Sequence, residues 1–469
     1  MPRIPSPRPV DAPSPRPMTR EYDVIVVGMG VGGEEVAGRL ASAGLNVLAV
    51  ERKLVGGECP YWGCIPSKVM VRAGNTIGEA ARVLGLAGDV KISPEWEPVA
   101  KRVRSVTADW NDEAAVERLR GKGGALVRGH ARITGGRTIE VDGTAYRART
   151  GIVVATGGEP ALPPVEGIED VPYWTNREAI EATDLPRSII VLGAGAIGLE
   201  LGQTFHRFGT EVTFVELFDH AMALEEPENG AELDEVIRAE GMTLLTRTKA
   251  IRARSSGGEV TLDFSDGNSV TAEKLLVTTG RRLTLDALGV DAVGLDPEAK
   301  AVEVDENLRA GDGLWAVGDV TGKGAFTHVA VYQGRIAAAD ILGEPHSPAD
   351  YSAVPRVTFT DPELASVGMT EAQARDQGLK VKVGITKTSS STRGWIHGPG
   401  AERGVVKLVA DGDRGVLVGA SIMGPAAGEI IGLPALAVKE EISIRSLRDL
   451  IYPYPTFVRG LEGALEELG

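Results

Sequence analysis

The chain has 469 residues, with 50 Lys or Arg against 65 Asp or Glu, so its formal net charge is −15 at pH 7. This acidity argues against a nucleic-acid or anionic-membrane partner, because both require a basic face. No apolar run reaches the roughly 18 residues that a membrane span needs, and at roughly 150 residues per domain the length predicts about three soluble domains.

The first twenty residues differ from the rest of the chain in composition. Met1–Arg20 contains seven prolines, four arginines and one acid. It lacks the apolar core of a secretory signal, and its prolines would break the amphipathic helix of an organelle-targeting peptide. We therefore interpret it as a disordered tail and expect a cytoplasmic protein.

The first predicted elements form a dinucleotide-binding fingerprint. Tyr22–Val27 predicts a strand, a glycine-rich turn leads into a helix to about Ala43, and a second strand, Asn46–Val50, ends in Glu51. The turn glycines are Gly28, Gly30 and Gly33. In such a unit the pyrophosphate lies at the helix N-terminus and the acid binds ribose hydroxyls.

Both cysteines of the chain lie in the next stretch, Gly56–Lys68, as Cys59 and Cys64. Two neighbouring cysteines suggest a metal site or a redox pair. Zinc requires four ligands and the six histidines form no cluster, so we predict a redox pair and no metal site. Pro66 suits a first helical turn and Lys68 lies one turn beyond Cys64, so both a helix start and a cation favour a thiolate. The alternative is a structural disulfide or two inert thiols.

A second fingerprint follows 165 positions after the first. Ser188–Leu192 predicts its first strand, and Glu211–Val215 its second, which ends in Glu216. The turn glycines are Gly193, Gly195 and Gly198. The chain therefore binds two dinucleotides. The first site adjoins the cysteines and is assigned to FAD, and the second to a diffusing nicotinamide. Leu217–Ile237 contains seven acids and neither Lys nor Arg, which with Glu216 favours NADH over NADPH.

The segments around the second fingerprint are less specific. Arg72–Arg120 is rich in helix signals. Gly151–Gly158 predicts either a strand by which the flavin domain returns toward the nicotinamide domain or an ordinary buried strand. Val260–Val277 alternates as hairpin strands. Asp319 follows the buried strand that begins at Leu314, where it either caps the helix His328–Leu342 or binds a ribityl hydroxyl.

From about Ser347 the pattern changes to an α+β domain without a nucleotide motif, which suits a dimer interface that contributes to the active site. The sequence thus predicts an α/β protein with two Rossmann-like dinucleotide-binding domains, for FAD and NAD(P), and a C-terminal α+β interface domain. The predicted boundaries are 1–20 for the tail, 21–158 and 281–346 for the FAD domain, 159–280 for the NAD(P) domain and 347–469 for the interface domain.

From Tyr22 onward the chain resembles the pyridine nucleotide-disulfide oxidoreductases, the group of dihydrolipoamide dehydrogenase, glutathione reductase and mercuric reductase. The resemblance rests on five motifs: Gly57–Lys68, Ala155–Gly157, Gly193–Glu200, Ala316–Asp319, and Phe359–Glu363 with Val367–Gly368. It implies a homodimer with an active site shared across the interface. It also places Gly57, Thr156 and Gly157 among the cofactor-binding residues.

The resemblance assigns roles to individual side chains. It implies that Cys64 lies against the flavin as the charge-transfer thiolate, while Cys59 is the interchange thiol that attacks the substrate. Lys68 would lie near flavin N5 and pair with Glu200. Asp319 would bind the ribityl chain.

The C-terminal segment departs from the family. Disulfide reductases of the group carry a His and a Glu there as an acid-base dyad, whereas this chain has Tyr454 and Arg459. Tyrosine, with a reference pKa of about 10 against about 6.5 for histidine, is a slow acid near neutral pH. Arg459 either grips a carboxylate or phosphate on the acceptor or is a solvated helix-end arginine. Mercuric reductase-like members carry this tyrosine with a C-terminal cysteine pair, which Leu461–Gly469 lacks, so mercury reduction is not favoured.

These observations predict an enzyme that passes electrons from NADH through FAD and a Cys59–Cys64 disulfide to a small disulfide or related acceptor. One alternative is an enzyme of the same fold whose flavin reduces a quinone, oxygen or a metal ion directly. Another is a non-catalytic redox-sensing partner protein. Tyr61 and Trp62, between the cysteines, either shape the acceptor pocket or pack against the interface domain.

Overall fold

The computed structural model describes residues 20–469 and divides the chain into two compact α/β units. Of the described residues, the first unit contains 20–55, Ala115–Gly157 and Thr284–Ser347. The second contains Gly56–Ala114, Gly158–Leu283 and Pro348–Gly469. The predicted tail lies outside the described residues except for Arg20, which begins the first strand. The assignment of domain boundaries by cofactor stays a prediction.

The first unit is built on an eight-stranded sheet. Its main path runs in the order Arg309–Gly311, Leu314–Ala316, Thr144–Val154, Arg20–Val27, Val47–Glu51 and Ala125–Arg128, and the antiparallel strands Ala131–Gly135 and Thr138–Val141 extend it from Thr144–Val154. The central strand, Arg20–Val27, has parallel neighbours on both sides. Its β-branched run Val24–Val27 is buried, as expected of a strand with helices on both faces.

Two helices of this unit pack closely through glycines. Val31–Ser42 begins at the glycine turn, and Thr327–Leu342 comes within one residue of the helix that the sequence predicts. A Cβ on Gly32 would lie 3.3 Å from the Ala330 carbonyl oxygen, and one on Gly334 would lie 3.1 Å from that of Gly32. Larger side chains would therefore separate the helices. The shorter helix Leu285–Leu288 also belongs to this unit. So does the helix Glu113–Gly121 from Ala115 onward.

Gly158–Leu283, the part of the second unit that the sequence predicts to be nicotinamide-binding, contains a five-stranded parallel sheet. The strand order is Thr243–Leu245, Glu211–Val215, Ser188–Leu192, Lys274–Val277 and Tyr173–Trp174. The strands Ala250–Ser256, Glu259–Phe264 and Ser269–Ala272 form a separate antiparallel sheet, and Glu159–Pro160 pairs with Arg281–Arg282. The hairpin interpretation of Val260–Val277 was therefore wrong at its end, because the buried Lys274–Val277 joins the parallel sheet.

The C-terminal part of the second unit is an antiparallel sheet with helices. The strand order is Arg356–Thr358, Glu363–Gly368, Val416–Gly424, Val405–Asp411 and Val381–Lys387. The sequence pattern predicts strands near Arg356–Phe359, Val381–Thr386, Val405–Val409 and Leu417–Ile422, which match four of these five strands. It misses Glu363–Gly368. The helices are Glu371–Asp376, Thr392–His397, Ala427–Ile430, Gly432–Lys439, Ile444–Arg448 and Gly460–Glu467.

The remaining helices of the second unit place the cysteines against the nicotinamide-binding part. They are Glu58–Tyr61, Cys64–Ala81, Glu97–Val106, Asn176–Glu181, Ala196–Arg207 and Pro227–Ala239. Cys64–Ala81 and Ala196–Arg207 approach closely, since a Cβ on Gly74 would lie 3.3 Å from Thr204 Cα. Within residues 20–469, none of the helices combines the length and the apolarity needed to cross a membrane.

Candidate active site

The two cysteines are brought together by a tight turn between two helices. Cys59 lies in the short helix Glu58–Tyr61, and Cys64 is the first residue of Cys64–Ala81. A Cβ on Gly63 would lie 3.2 Å from Cys59 Cα, so a larger residue at this position would crowd the return of the chain to Cys59. Gly57 precedes the first helix with a φ of +66°. Cys59 is half-buried and Cys64 is exposed.

The helix begins at Cys64, three residues before Ser67, from which the sequence pattern predicts a helical run. Pro66 is therefore buried within the first turn of the helix. The first N–H groups of a helix have no intrahelical partner, so a proline there removes no hydrogen bond. The earlier start places Cys64 at the positive end of the helix dipole, which favours its thiolate.

Lys68, one turn further along, is held by an ion pair. Its Nζ lies 2.5 Å from Glu200 Oε2, and the other carboxylate oxygen accepts a 2.9 Å hydrogen bond from the Phe359 N–H. The ammonium also lies 4.7 Å from the centroid of the Phe359 ring. Only 5% of the Glu200 side chain is exposed, against 36% for Lys68. Three distant segments of the second unit thus fix one cation beside the cysteine turn.

A second charged group, which the sequence did not reveal, supports the same helices. Asp361 Oδ2 lies 2.8 Å from Arg82 Nη2 and 3.0 Å from Arg207 Nη2. Gln203 exchanges two hydrogen bonds with the backbone of Asp361, at 2.8 and 3.0 Å. Burial lowers the pKa of Arg82, but the carboxylates of Asp361 and Glu79 outweigh it and raise that pKa above its ordinary value. Arg82 therefore stays charged and anchors the helix of Lys68.

The glycine turn of the first unit has the geometry of a dinucleotide site. Gly28 has a φ of +92°, and a Cβ there would overlap the Ala155 carbonyl and lie 2.9 Å from Thr156 Cα. A Cβ on Gly33 would collide with the Gly28 carbonyl, whereas one on Gly30 would meet no atom within 4 Å. Two glycines therefore close the turn, and the middle one leaves the helix N-terminus bare for a pyrophosphate. These residues fit FAD.

The second turn repeats this arrangement in the nicotinamide-binding part. Gly193 has a φ of +102°, and a Cβ on Gly198 would collide with the Gly193 carbonyl. A Cβ on Gly195 would meet nothing within 4 Å. The helix N-terminus after this turn is therefore bare, like the one after the first turn. It fits the pyrophosphate of a nicotinamide dinucleotide.

The two acids after the second strands are also held alike. Glu51 Oε2 accepts a hydrogen bond from the Met29 N–H in the first glycine turn, and Glu51 Oε1 accepts one from the Lys53 N–H, both at 2.7 Å. Glu216 accepts the two corresponding N–H groups at 2.7 and 3.0 Å. Each carboxylate is thereby fixed beside its glycine turn, where it can accept hydrogen bonds from ribose hydroxyls.

One cation lies beside Glu216 that the sequence interpretation missed. The Arg247 N–H donates to the Phe218 carbonyl at 2.7 Å, and the guanidinium Nη2 lies 3.8 Å from Asp219 Oδ2. Its side chain is 78% exposed. Arg247 comes from beyond Leu217–Ile237, the window that lacked Lys and Arg, so the ribose end of this site is less uniformly acidic than the sequence indicated.

The other residues assigned to the flavin lie in the first unit. Thr156 and Gly157 lie two and three residues beyond the end of the strand Thr144–Val154, and Gly157 has a φ of +63°. Asp319 begins a short 3₁₀ helix after the buried strand Leu314–Ala316. The preceding Gly318 N–H donates to Gln333 Oε1 at 2.6 Å, which ties this end of the strand to the helix Thr327–Leu342.

Tyr454 and Arg459 contact each other. The Arg459 guanidinium lies 5.1 Å from the centroid of the Tyr454 ring, and its Nε lies 2.7 Å from Glu462 Oε2. Tyr454 is 63% exposed.

Among residues 20–469, no group of three or more His, Cys, Asp or Glu could hold a metal ion.

Trp62, between the cysteines, contacts the helix Asn176–Glu181. Its Nε1 donates to Glu181 Oε1 at 2.6 Å, and its carbonyl accepts from Asn176 Nδ2 at 2.8 Å. The neighbouring Tyr61 is buried, and its carbonyl accepts from Trp110 Nε1 at 3.2 Å. The turn is thus anchored to the nicotinamide-binding part of the second unit.

The chain has two glycine turns, each with a carboxylate fixed beside it, and a cysteine pair at the start of a helix. These features define a redox protein that uses two dinucleotides. The chain belongs to the pyridine nucleotide-disulphide oxidoreductase family, whose model matches residues 22–334, with the family's dimerisation domain over residues 354–464. This confirms the family and the fold class predicted from the sequence.

Similar proteins cover nearly the whole chain. A dihydrolipoyl dehydrogenase of Thermus scotoductus is 36% identical, over 96% of this chain and 98% of its own length. A mercuric reductase of Staphylococcus aureus is 31% identical, over 94% and 81%. The solved Cu(II) complex of the HOCl-induced flavoprotein disulfide reductase RclA from Escherichia coli is 25% identical with a TM-score of 0.84, over 96% and 99%.

The protein is therefore an FAD- and NAD(P)H-dependent oxidoreductase with a redox-active disulfide, an enzyme of the class that acts on sulfur groups. The predicted enzyme class is confirmed. The alternative of a non-catalytic partner protein is set aside.

Proposed function

We propose that the enzyme passes electrons from NADH through FAD and the Cys59–Cys64 pair to a small disulfide or a related acceptor. The observation that carries this proposal is the cysteine turn itself. Cys64 begins a helix, Cys59 lies half-buried one turn before it, and the Lys68–Glu200 pair lies one turn beyond. Bound FAD supplies hydride acceptance from the nicotinamide and delivery of two electrons.

The cysteines carry the sulfur chemistry. Two electrons and one proton convert the Cys59–Cys64 disulfide into one thiolate and one thiol. The Cys59 thiolate then attacks one sulfur of the acceptor disulfide, which forms a mixed disulfide and releases the first product thiolate. Cys64 gives up its proton to the site, attacks the Cys59 sulfur as a thiolate, re-forms the internal disulfide and releases the second product thiolate. Each released thiolate takes a proton from the site or from solvent.

We propose that Lys68 stabilises negative charge beside Cys64 during these steps. Both residues lie on one face of the helix, four positions apart. The Ser67 Oγ donates to the Cys64 carbonyl at 3.5 Å and lies 3.4 Å from Lys68 Nζ. Because Glu200 fixes the ammonium, its position does not depend on the flexible lysine chain alone.

The dimerisation domain supports a homodimer with an active site shared by two copies. Its C-terminal stretch exposes large apolar side chains: Leu450, Ile451 and Tyr454. A second copy is the occupant that the family domain provides for such a surface. Tyr454 and Arg459 would then belong to the acceptor end of the site. The cytoplasmic location stays a prediction.

NADH is the nicotinamide that we propose. The rigid Glu216 carboxylate can bind two ribose hydroxyls and would repel a 2′-phosphate. The Arg247 guanidinium would instead attract a 2′-phosphate and so favour NADPH. We expect E216A to lower the NADH-over-NADPH ratio of kcat/KM about tenfold or more, and R247A to raise it. E211Q, at the exposed start of the same strand, is the matched control. A ratio near one in the wild type would contradict the preference.

The cysteine step is tested by the C59S variant of the holoenzyme. Turnover of NADH with 5,5′-dithiobis(2-nitrobenzoate) should fall more than about 100-fold, while NADH-dependent reduction of ferricyanide continues. C64S should behave alike. Retained disulfide turnover in C59S would refute the proposal.

Direct reduction of a quinone, oxygen or a metal ion by the flavin is the second candidate. The observation that favours it is Tyr454, which stands where disulfide reductases of the family have an acid-base histidine. The similar mercuric reductase and the RclA Cu(II) complex are named for metal ions. In that case C59S would keep nearly full turnover with the true acceptor.

A further inference from the structure

A carboxylate directly precedes one of the redox cysteines, and the nicotinamide-binding part of the chain neutralises it. Glu58 is the neighbour of Cys59 in the helix Glu58–Tyr61. Arg177 binds Glu58 Oε1 through Nε at 3.0 Å and also through Nη2. Asn176 Nδ2 lies 3.2 Å from the other oxygen. Both carboxylate oxygens are thus held by the first turn of one helix, Asn176–Glu181.

The pair is shielded from solvent. The side chains of Arg177 and Glu58 are only 20% and 23% exposed. The Arg177 guanidinium lies 5.2 Å from the centroid of the Trp62 ring, which covers it. Trp62 is itself fixed by its hydrogen bonds with Glu181 and Asn176. Charges so shielded interact more strongly than exposed ones, so the guanidinium compensates Glu58 effectively.

The charged groups around the turn make this compensation consequential. Arg177 Nη2 also lies 3.2 Å from Glu159 Oε2, so one guanidinium serves two carboxylates. Glu181 is engaged with Trp62, and Lys68 with Glu200. Burial lowers the pKa of Arg177, but hydrogen bonds and charge from Glu58 and Glu159 outweigh it, so the pKa rises and the side chain stays charged.

Without Arg177, the Glu58 carboxylate would lose the cation that it binds directly beside Cys59. A thiolate is disfavoured by a neighbouring negative charge and favoured by a positive one. A neutral anchor could hold the turn equally well, but only a cation cancels the charge of Glu58. We propose that Arg177 is a positioning residue for Cys59: it neutralises Glu58 and, with Asn176 and Trp62, fixes the turn, so that Cys59 remains nucleophilic at neutral pH. This rests on the proposed role of Cys59 as the attacking thiol.

The test is the pH dependence of Cys59 alkylation. The holoenzyme is reduced with NADH, and in parallel with dithiothreitol, then treated anaerobically with iodoacetamide between pH 5 and pH 9. Peptide mass spectrometry measures the label on Cys59 and Cys64 separately. In R177Q the midpoint for Cys59 should move up by about half a pH unit, which is about a threefold slower reaction near neutral pH.

Three matched variants separate charge from structure. R177K keeps the charge and should keep the wild-type midpoint. E58Q should move the midpoint down, and E58Q/R177Q should return it close to the wild-type value. The thermal midpoint and the FAD content of each variant report folding. If R177Q does not fold, the downward shift in E58Q carries the test.

Two results would overturn the inference. One is an unchanged Cys59 midpoint in both R177Q and E58Q. The other is equal shifts in R177Q and R177K, which would make Arg177 an anchor only. Reduction with dithiothreitol does not depend on electron transfer from NADH. It therefore measures the effect of charge on Cys59 even if C59S stays active and the proposed function is wrong.

Discussion

Lys68 and Glu200, 132 positions apart, form a 2.5 Å ion pair between two closely packed helices. Gly74 and Thr204 set the separation of these helices, and the backbone N–H of Phe359 holds the second oxygen of Glu200. The cation near the cysteine turn is thus placed by residues from three parts of the chain. Its position is a property of the tertiary fold rather than of the cysteine motif.

Replacing Lys68 should damage both catalysis and stability. K68M leaves the buried Glu200 carboxylate with the Phe359 N–H as its remaining hydrogen bond, which should cost about 1–3 kcal/mol of unfolding free energy. Loss of the charge should slow reduction of bound FAD by NADH about 100-fold in stopped-flow experiments. K68R is the control and should retain more of both. A K68M rate within twofold of the wild type would contradict the role of Lys68.

Lys407 should be one of the most sensitive positions for stability. Its Nζ lies 2.8, 2.7 and 2.9 Å from carboxylates of Glu226, Glu228 and Glu371, and its side chain is 1% exposed. K407M would take the cation from Glu226 and Glu228, while Glu371 keeps Arg375. We therefore expect a loss of about 3–5 kcal/mol in urea unfolding. K380M removes the exposed Lys380–Asp413 pair and should change stability by less than about 1 kcal/mol. Equal effects would refute the prediction.

Glu363 should make stability depend on pH. Burial raises its pKa above the ordinary value; the Gly428 N–H opposes this at 2.8 Å, and the charges of Glu429 and Asp361 reinforce it. A raised folded pKa contributes stability below the unfolded pKa, near 4.5, and that stability is lost as pH rises through the folded value. E363Q should therefore be more stable than the wild type at pH 7.

The advantage of E363Q should shrink below about pH 4.5 when urea unfolding is compared at pH 7 and pH 4. E303Q, at an exposed position of the first unit, should change neither value. If the E363Q difference were the same at both pH values, the charge of Glu363 would not be its cause.

The C-terminal segment should be convertible to a more efficient disulfide reductase. Y454H/R459E restores the histidine and glutamate that the family resemblance implies for this segment. We expect NADH turnover with a small disulfide to rise about 10- to 100-fold, because histidine protonates a leaving thiolate near neutral pH. Y454F is the control and should give no rise. Quinone turnover should change little. No gain with the disulfide would mean that Tyr454 is not at the acceptor end.

Local patterns in the sequence predicted the dinucleotide turns well. Ser188–Leu192 and Glu211–Val215 have the predicted bounds, because a buried strand followed by a glycine turn has a strong local signature. The strand Glu363–Gly368 was missed because glutamate, alanine and glycine weaken the β signal. Lys274–Val277 was assigned to a hairpin because local alternation does not show the direction of the partner strand.

Contacts between distant segments could not be predicted. Arg82 and Asp361 are 279 positions apart, and Arg177 and Glu58 are 119 apart. Charged residues such as these do not follow the hydrophobic periodicity of a helix or strand. Their partners are set by tertiary packing, which a single sequence does not reveal. Arg247 was missed for the same reason, because it reaches Phe218 from the end of a neighbouring strand.

The most direct test of the account is an anaerobic titration of the holoenzyme with NADH, in which new thiols are counted. We expect two new thiols per FAD after two electrons, together with a long-wavelength absorbance band. Neither C59S nor C64S should gain thiols, because neither can form the internal disulfide. The band should be absent in C64S, whereas in C59S, where Cys64 is a thiol from the start, it should not depend on reduction by NADH. Bleaching of the FAD absorbance without any gain of thiols in the wild type would show that the Cys59–Cys64 pair does not carry the electrons.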